Sequence, residues 1–157
     1  MSTDYPKADE CNCLAVRQAA RHITQFYDQF LAPSGLRATQ FSILAKLRRL
    51  GPLTINALAD ELVMDRTTLG RNMLPLEREG LIDIVPGKRD RRSKELQLSE
   101  AGAERLRAAL KGWAQAQSQF EATFGLKRTK DLRALLHTVA ATELGETDER
   151  AVTVTRA

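Results

Sequence analysis

Nine consecutive residues, from Pro86 to Lys94, carry the whole net charge of this 157-residue chain. Five basic residues stand there against one acid, Asp90, which gives the segment the same +4 as the complete sequence. The basic residues are Lys88, Arg89, Arg91, Arg92 and Lys94. Clustered guanidinium and ammonium groups attract phosphate, so the segment indicates a polyanion as partner, with a solvated surface as the alternative.

A second group of residues has the side chains that read base edges in double-stranded DNA. Arg can bond both acceptors of guanine, Asn matches adenine, and Thr can hydrogen-bond a base or touch the methyl group of thymine. These residues follow Asp65, a potential helix cap, and are Arg66, Thr67, Thr68, Arg71 and Asn72. Considered alone, this segment is equally consistent with the start of an ordinary surface helix.

Hydrophobic periodicity places both groups in a mainly helical chain with one small β-hairpin. Helices are predicted for Cys13 to Leu31, Thr39 to Leu50, Thr54 to Leu62, Asp65 to about Glu79, Ser99 to Phe124 and about Thr129 to Leu144. Two strands, near Leu81 to Val85 and Glu95 to Leu98, leave the basic segment at the hairpin tip. Pro75 is expected to bend its helix, because proline removes a hydrogen bond and clashes with the preceding turn.

Three short helices followed by a basic hairpin are typical of a winged helix-turn-helix. The second helix of such a pair enters the major groove of DNA, and arginines at the wing tip extend the contact into the narrow, electronegative minor groove. We therefore expect Arg91 and Arg92 in the minor groove and Asp90 orienting an arginine. The remaining wing cations, Lys88, Arg89 and Lys94, are expected on phosphates.

Six segments form an ordered pattern that none of them forms alone. They are Gly35–Leu44, Leu53–Ala59, Asp65–Arg71, Leu76–Ile82, Asp90–Ser93 and Leu98–Gly102. Taken together, over roughly residues 12–143, they resemble the MarR family of bacterial transcriptional regulators. The resemblance implies an obligate homodimer with interlocking terminal helices, a pocket for a signal molecule between the dimerisation and DNA-binding regions, and a minor-groove role for Arg92.

The length favours a single structural domain. We divide it into a flexible arm (1–11), a dimerisation helix (12–34), a winged helix-turn-helix (35–100), C-terminal dimerisation helices (101–145) and a flexible tail (146–157). Aromatic residues flank the DNA-binding region and none occurs between residues 42 and 112. A second copy of the chain is expected to cover them, and its two-fold symmetry fits a palindromic operator. Closure of a core within one chain is the alternative.

Two kinds of signal are compatible with the residues of the terminal helices. Cations beside aromatic side chains suit a small aromatic carboxylate or phenolate. The candidate effector residues are Arg17, Arg21, His22, Tyr27, Phe41 and Trp113. The rival is a redox sensor at Cys11 and Cys13, because oxidation near a dimer interface would shift both DNA-binding helices.

The sequence lacks the residues that other classes of function would need. RNA binding would need exposed aromatics beside the basic segment, and an enzyme would need a phosphate loop, a nucleophile elbow or a cluster of ligands. We therefore expect no catalytic residues, no cofactor and no metal, and a cytoplasmic location without a membrane segment.

The sequence predicts a dimeric DNA-binding regulator, acting as a repressor that an aromatic acid releases. A redox-sensing regulator of the same fold, or a protein-interaction module, is the alternative.

Overall fold

The computed structural model describes residues 7–145, so residues 1–6 of the predicted arm and the predicted tail, 146–157, lie outside the described part. Six α-helices and three strands follow one another in this part of the chain. They are α1 (Asn12–Leu31), α2 (Ala38–Leu50), β1 (Leu53–Thr54), α3 (Ile55–Leu62), α4 (Arg66–Arg78), β2 (Ile82–Pro86), β3 (Lys94–Leu98), α5 (Glu100–Phe124) and α6 (Leu126–Ala141). Short 3-10 turns precede α1, at Ala8–Glu10, and α2, at Ala32–Ser34.

The helix caps explain where these helices begin. The side chain of Thr54 accepts a hydrogen bond from the Ala57 N–H at 3.2 Å, and Ser99 Oγ accepts one from the Gly102 N–H at 3.0 Å. Both caps satisfy donors that a helix leaves free at its start, as the sequence predicts. Gly80, with φ of +67°, follows the end of α4 in the left-handed conformation expected of a glycine stop.

Two predicted helix starts differ from the structure. The α2 helix begins at Ala38, one residue before the predicted start at Thr39, and Arg37 is its cap residue, whose N–H donates to Gln40 Oε1 at 2.9 Å. The α6 helix begins at Leu126, three residues before the predicted Thr129, directly after Gly125 with its φ of +99°. The predicted arm is also not uniformly irregular, since residues 8–10 form a helical turn.

The sheet contains the predicted hairpin and one strand more. Strands β2 and β3 pair antiparallel, with Ile82 opposite Leu98 and Pro86 opposite Lys94. Strand β1 pairs with the other edge of β3, where Leu53 lies opposite Leu96, so the strand order is β1-β3-β2. Two residues are too few to display the alternation by which a strand is recognised in sequence. The mainly helical fold with a small antiparallel wing is confirmed.

The described part of the chain divides into two compact units, residues 7–119 and 120–145. The core of the first unit is built from leucines and isoleucine that are almost fully buried: Leu31, Ile43, Leu44, Leu47, Leu58, Leu69, Leu76 and Leu81. Gly102 lets α5 approach the connection between α4 and β2 closely, because a Cβ atom there would lie 2.0 Å from the Leu81 carbonyl oxygen. This core holds α4 and the wing on one framework.

The second unit contains the end of α5 and all of α6. Phe120 stacks on Phe124 with ring centroids 5.5 Å apart, and the Arg128 guanidinium lies 4.3 Å from the centroid of the Phe124 ring. Among the residues of α6, Thr129 is the buried one. Within residues 7–145, no helix combines the length and the apolar character needed to cross a bilayer.

Candidate nucleic-acid interface

The start of α4 is fixed by Asp65. One oxygen of its carboxylate accepts a hydrogen bond from the Thr68 N–H at 2.8 Å, and the other accepts one from the Thr68 hydroxyl at 2.6 Å. These bonds lower the pKa of Asp65, the hydroxyl bond contributing most, since they favour the charged carboxylate. The first turn of α4 is therefore held in a defined geometry before any ligand arrives.

The α4 helix has one buried face and one face available to a partner. Leu69, Met73 and Leu76 are buried against the core. On the other side, Arg66, Thr67, Thr68 and Arg71 are exposed. Helical spacing thus separates the residues that anchor α4 from those that can meet DNA.

Asn72 differs from the other four residues predicted to read bases. It is only partly exposed, and its side-chain nitrogen donates to the Thr68 carbonyl oxygen of its own helix at 3.0 Å. An adenine contact uses both the amide oxygen and the amide nitrogen of Asn. Such a contact at Asn72 would require this intrahelical bond to be given up.

Pro75 does not terminate α4. The helix continues to Arg78, and the Glu79 N–H donates to the Pro75 carbonyl oxygen at 3.0 Å. Proline has no N–H to offer the Arg71 carbonyl one turn earlier, so that carbonyl loses its helical partner. The expected bend at this position stays a prediction.

The wing tip is organised by Asp90 and Gly87. The Gly87 N–H donates to the Ser93 carbonyl at 2.9 Å, and the Ser93 N–H donates to the Asp90 carbonyl at 3.0 Å. A Cβ atom on Gly87 would lie 2.0 Å from Ser93 Oγ and 2.6 Å from the Asp90 carbonyl oxygen, so the turn requires glycine. The Asp90 carboxylate accepts the Arg92 N–H at 2.9 Å. Asp90 therefore holds the backbone of Arg92, which is an arginine oriented through its main chain.

All five cations of the wing are available to an anionic partner. Each of them is exposed, and none forms an ion pair with any of residues 7–145. These residues are Lys88, Arg89, Arg91, Arg92 and Lys94. The tip of the hairpin therefore presents five cations that form no ion pair within the described chain, beside the single carboxylate of Asp90.

A cavity of about 410 Å³ lies beside α2. Its aromatic lining consists of Tyr27, Phe41 and Trp113, of which Phe41 and Trp113 are stacked with centroids 6.1 Å apart. The Tyr27 hydroxyl donates to Gln117 Oε1, which ties α1 to α5. We call this space the aromatic cavity.

The cations of the aromatic cavity are not those expected from the sequence. Arg17, Arg21 and His22 are exposed on α1 and do not line it. Lys46 and Arg49, both on α2, line it instead. Lys46 Nζ lies 2.9 Å from a Glu61 carboxylate oxygen, and its hydrogen bond and charge lower the pKa of Glu61.

Sequence reasoning missed these two cations although their spacing was visible. Ser42, Ala45, Lys46 and Arg49 recur at the i, i+3, i+4 and i+7 positions of one helical face. Phe41 lies one turn before Ala45, at the edge of this face, so the two cations could have been connected with the aromatic residue from the sequence.

Both cysteines lie at the start of α1 and are exposed. Cys11 is the residue before the first turn, and its Sγ accepts a hydrogen bond from the Leu14 N–H at 3.4 Å. Cys13 lies two residues further on, inside the helix. A thiol thus occupies a capping position that is usually filled by an oxygen-bearing side chain.

Comparisons of the sequence and of the fold with known proteins both find similarity to transcriptional regulators. Residues 36–94 match the model of the MarR family. An HTH-type transcriptional regulator of Bacillus cereus is 32% identical over 96 residues, which cover 61% of this chain and 63% of the relative. The chain thus spans somewhat less than two thirds of the length of this curated relative.

Two solved structures extend the comparison to most of the chain. The transcriptional regulator MosR of M. tuberculosis is 34% identical, with a TM-score of 0.72 over 87% of this chain and 100% of that one. In its complex with DNA, MosR is 36% identical, with a TM-score of 0.71 over 84% of this chain and 98% of that one. The transcriptional repressor CouR of Rhodococcus jostii, bound to a 23-mer DNA duplex, is 25% identical, with a TM-score of 0.75 over 86% of this chain and 96% of that one. The protein belongs to the MarR family of transcriptional regulators.

Proposed function

We propose that the protein is a homodimeric repressor that binds a palindromic operator in double-stranded DNA and leaves it when a small aromatic or phenolic acid binds. The observation that carries this proposal is the pairing, in one compact unit, of an exposed polar helix start with a wing whose five cations are exposed and form no ion pair within residues 7–145. The complexes of MosR and CouR with DNA support the DNA-binding part, and the description of CouR as a repressor supports the direction of control.

The two DNA-binding elements have different tasks in this proposal. Arg66, Thr67, Thr68 and Arg71 read base edges in the major groove from the first turns of α4, with Asn72 joining them if its intrahelical bond opens. Arg91 and Arg92 enter the minor groove. The remaining wing cations contact phosphates, which adds affinity without adding sequence information.

Dimerisation explains the apolar side chains that the chain leaves exposed. In the first unit, Val16 is 49% exposed and Leu110 is 48% exposed. In the second unit, Leu126, Leu135 and Val139 are each more than half exposed. Large apolar surfaces on a helix mark an interaction site, and a second copy of the same helices is the partner that the family fold favours. Two copies would place their α4 helices about 34 to 36 Å apart, one turn of DNA.

The aromatic cavity is the proposed effector site. Tyr27, Phe41 and Trp113 would enclose an aromatic ring, and the Arg49 guanidinium would pair with its acid group. Lys46 is less available, because it already pairs with Glu61. Arg17, Arg21 and His22 have no part in this version of the site.

Redox sensing at Cys11 and Cys13 is a second candidate signal, favoured by the capping bond of Cys11. A thiolate attacks a peroxide, which leaves as an alcohol or water, and the resulting sulfenic acid condenses with the second thiol to give a disulfide and water. Formation of that disulfide would move Cys11 Sγ and so disturb the hydrogen bond that it accepts from the Leu14 N–H. The start of α1 would unwind, and α1 is one of the proposed dimerisation helices.

The proposal is tested by titrating the protein with the intergenic DNA upstream of its own gene and with a random duplex. Fluorescence anisotropy at several salt concentrations measures both affinities, and sedimentation of the complex gives its stoichiometry. Tight, salt-dependent, sequence-selective binding by two chains is expected, relieved by either an aromatic acid such as salicylate or a peroxide.

Each outcome of this titration has a distinct meaning. Equal affinity for both duplexes at every salt concentration would refute the regulator and favour the protein-interaction module. One chain per operator half without contact between chains would refute the dimer. Relief by peroxide that is lost in Cys11→Ser would identify the redox signal, and relief by salicylate that is lost in Arg49→Gln would identify the aromatic cavity.

A further inference from the structure

Val63, in the turn between α3 and α4, has a backbone conformation that its residue type disfavours. Among residues 7–145 it is the one non-glycine residue with a positive φ, at +51° with ψ of +47°. This left-handed conformation crowds the Cβ atom against the backbone, most of all in a β-branched residue. Glycine has no Cβ atom, and asparagine visits the conformation routinely. The turn therefore explains the conformation at position 63 but not the choice of valine.

Burial does not account for the valine either. Val63 is 73% exposed, so folding gains little from its isopropyl group, because stabilisation follows the apolar area removed from water. Its two neighbours in sequence, Leu62 and Met64, are partly buried and pack against the core. An unfavourable conformation that the fold could hold more cheaply with another residue marks a candidate functional position.

Val63 lies beside the end of α4 that the proposed function places in the major groove. It comes shortly before Asp65, the cap of α4, and Arg66, the first residue of that helix. The Cα atoms of Val63 and Arg66 are about 11 Å apart at most, which corresponds to about three base-pair steps. We propose that Val63 is a further specificity-determining residue, whose isopropyl group contacts the methyl group of one thymine in each half of the operator.

A thymine methyl is the feature of the major groove that suits this side chain. It is the apolar group among the donors and acceptors that base edges present there. The residues that follow the turn, Asp65 to Thr68, are exposed and polar, and the Thr68 hydroxyl is already bonded to Asp65. Val63 adds an apolar contact to a surface that otherwise recognises hydrogen-bonding groups. This inference rests on the proposed function, because it requires that the first turns of α4 read the operator.

The test removes one methyl group at a time from the DNA. Each thymine of the operator is replaced singly by deoxyuridine, which keeps base pairing but lacks the methyl group, and fluorescence anisotropy measures the affinity. At one thymine per half-site the wild type should bind about fourfold less tightly after the replacement, as expected for a lost contact with one methyl-sized group. Val63→Gly and Val63→Asn should bind both forms of that operator equally and keep every other response of the wild type.

Control variants separate the contact from a general loosening of the turn. Val63→Ile keeps a branched apolar side chain and should keep the response. Leu74, 47% exposed on α4 beyond its first turns, offers the matched control, and Leu74→Ala should retain the wild-type pattern. Thermal midpoints give a second measurement without DNA. Val63→Asn should raise the midpoint, because asparagine adopts the left-handed conformation more readily than valine.

Three results would overturn the role of Val63. They are the absence of any thymine that the wild type senses and both variants ignore, an equal loss of affinity on every operator and on random duplex, and a lower thermal midpoint in Val63→Asn. The same titrations measure whether the wild type prefers its operator to random duplex. Without that preference the proposed function fails. With that preference but no thymine that depends on Val63, the proposed function stands and the role of Val63 alone is refuted.

Discussion

Two substitutions of Asp90 separate the shape of the wing from its charge. The carboxylate oxygen accepts the Arg92 N–H at 2.9 Å, which fixes the backbone from which the Arg92 side chain projects. Asp90→Ala removes this acceptor together with the negative charge. Asp90→Asn removes the charge but keeps an oxygen in the same position, and Asn forms the same kind of turn as Asp.

The two substitutions are expected to change the affinity for the operator in different ways. Loss of one exposed hydrogen bond costs about 0.5 to 1.5 kcal/mol, but Asp90→Ala also removes the negative charge, whose repulsion from phosphate is worth about 0.7 kcal/mol, so its net effect should lie between almost none and about fourfold weaker operator binding per wing. The Ser93 N–H still bonds the Asp90 carbonyl, which keeps the turn from opening completely. A carboxylate about 6 Å from a phosphate is repelled by about 0.7 kcal/mol in water, so Asp90→Asn should strengthen binding about threefold per wing at low salt.

Fluorescence anisotropy with a labelled operator at low and at physiological salt measures both effects, and the thermal midpoint checks that each variant is folded. The gain in Asp90→Asn should shrink as salt screens the repulsion, whereas the loss in Asp90→Ala should persist. If Asp90→Asn weakens binding as much as Asp90→Ala, the carboxylate itself is required and the turn argument is refuted.

Four further predictions follow from the same geometry. Arg92→Ala should weaken operator binding by about 1 to 3 kcal/mol and reduce the preference for a narrow minor groove, measured by competition between operators with and without an A-tract. Lys88→Ala should weaken specific and random duplexes alike and reduce the slope of log affinity against log salt by about 1, measured in a salt series. Gly112→Ala should lower the thermal midpoint, because its Cβ atom would lie 2.2 Å from the Phe30 carbonyl oxygen. Asp65 has a lowered pKa, so the stability that its cap contributes is complete above the ordinary pKa of 3.8 and is lost as the pH falls through the lowered pKa. The difference in thermal midpoint between the wild type and Asp65→Ala should therefore be constant from about pH 8 to 5 and shrink below about pH 4.

Much of the fold could be predicted because local chemistry and tertiary structure agree along most of the chain. Thr54, Asp65 and Ser99 are good caps by residue type, and each of them caps its helix in the structure. The sequence could not predict that β1 joins the sheet. Pairing of Leu53 with Leu96 depends on a contact between residues far apart in sequence, and a two-residue segment carries no pattern of its own.

The candidate site divides in the same way. The wing and the start of α4 each lie within a few consecutive residues, so their positions follow from the order of residue types. The aromatic cavity depends instead on which faces of α1, α2 and α5 come together. Arg17 and Arg21 lie on the same helix as Tyr27 but not on its cavity-lining face, whereas Arg49 lies two turns after Phe41 on a different helix.

The turn before α4 shows how tertiary structure overrides a local preference. Val63 has φ of +51° and is 73% exposed, although the left-handed conformation costs a β-branched residue about 1 to 2 kcal/mol. Its N–H and that of Met64 close the end of α3 on the Asp60 and Ala59 carbonyls, at 3.1 and 2.9 Å. Leu58 and Leu69, on either side of the turn, are both fully buried. The strain at Val63 is thus the cost of placing Asp65 where it can cap α4, and the base-reading residues take their position from that cap.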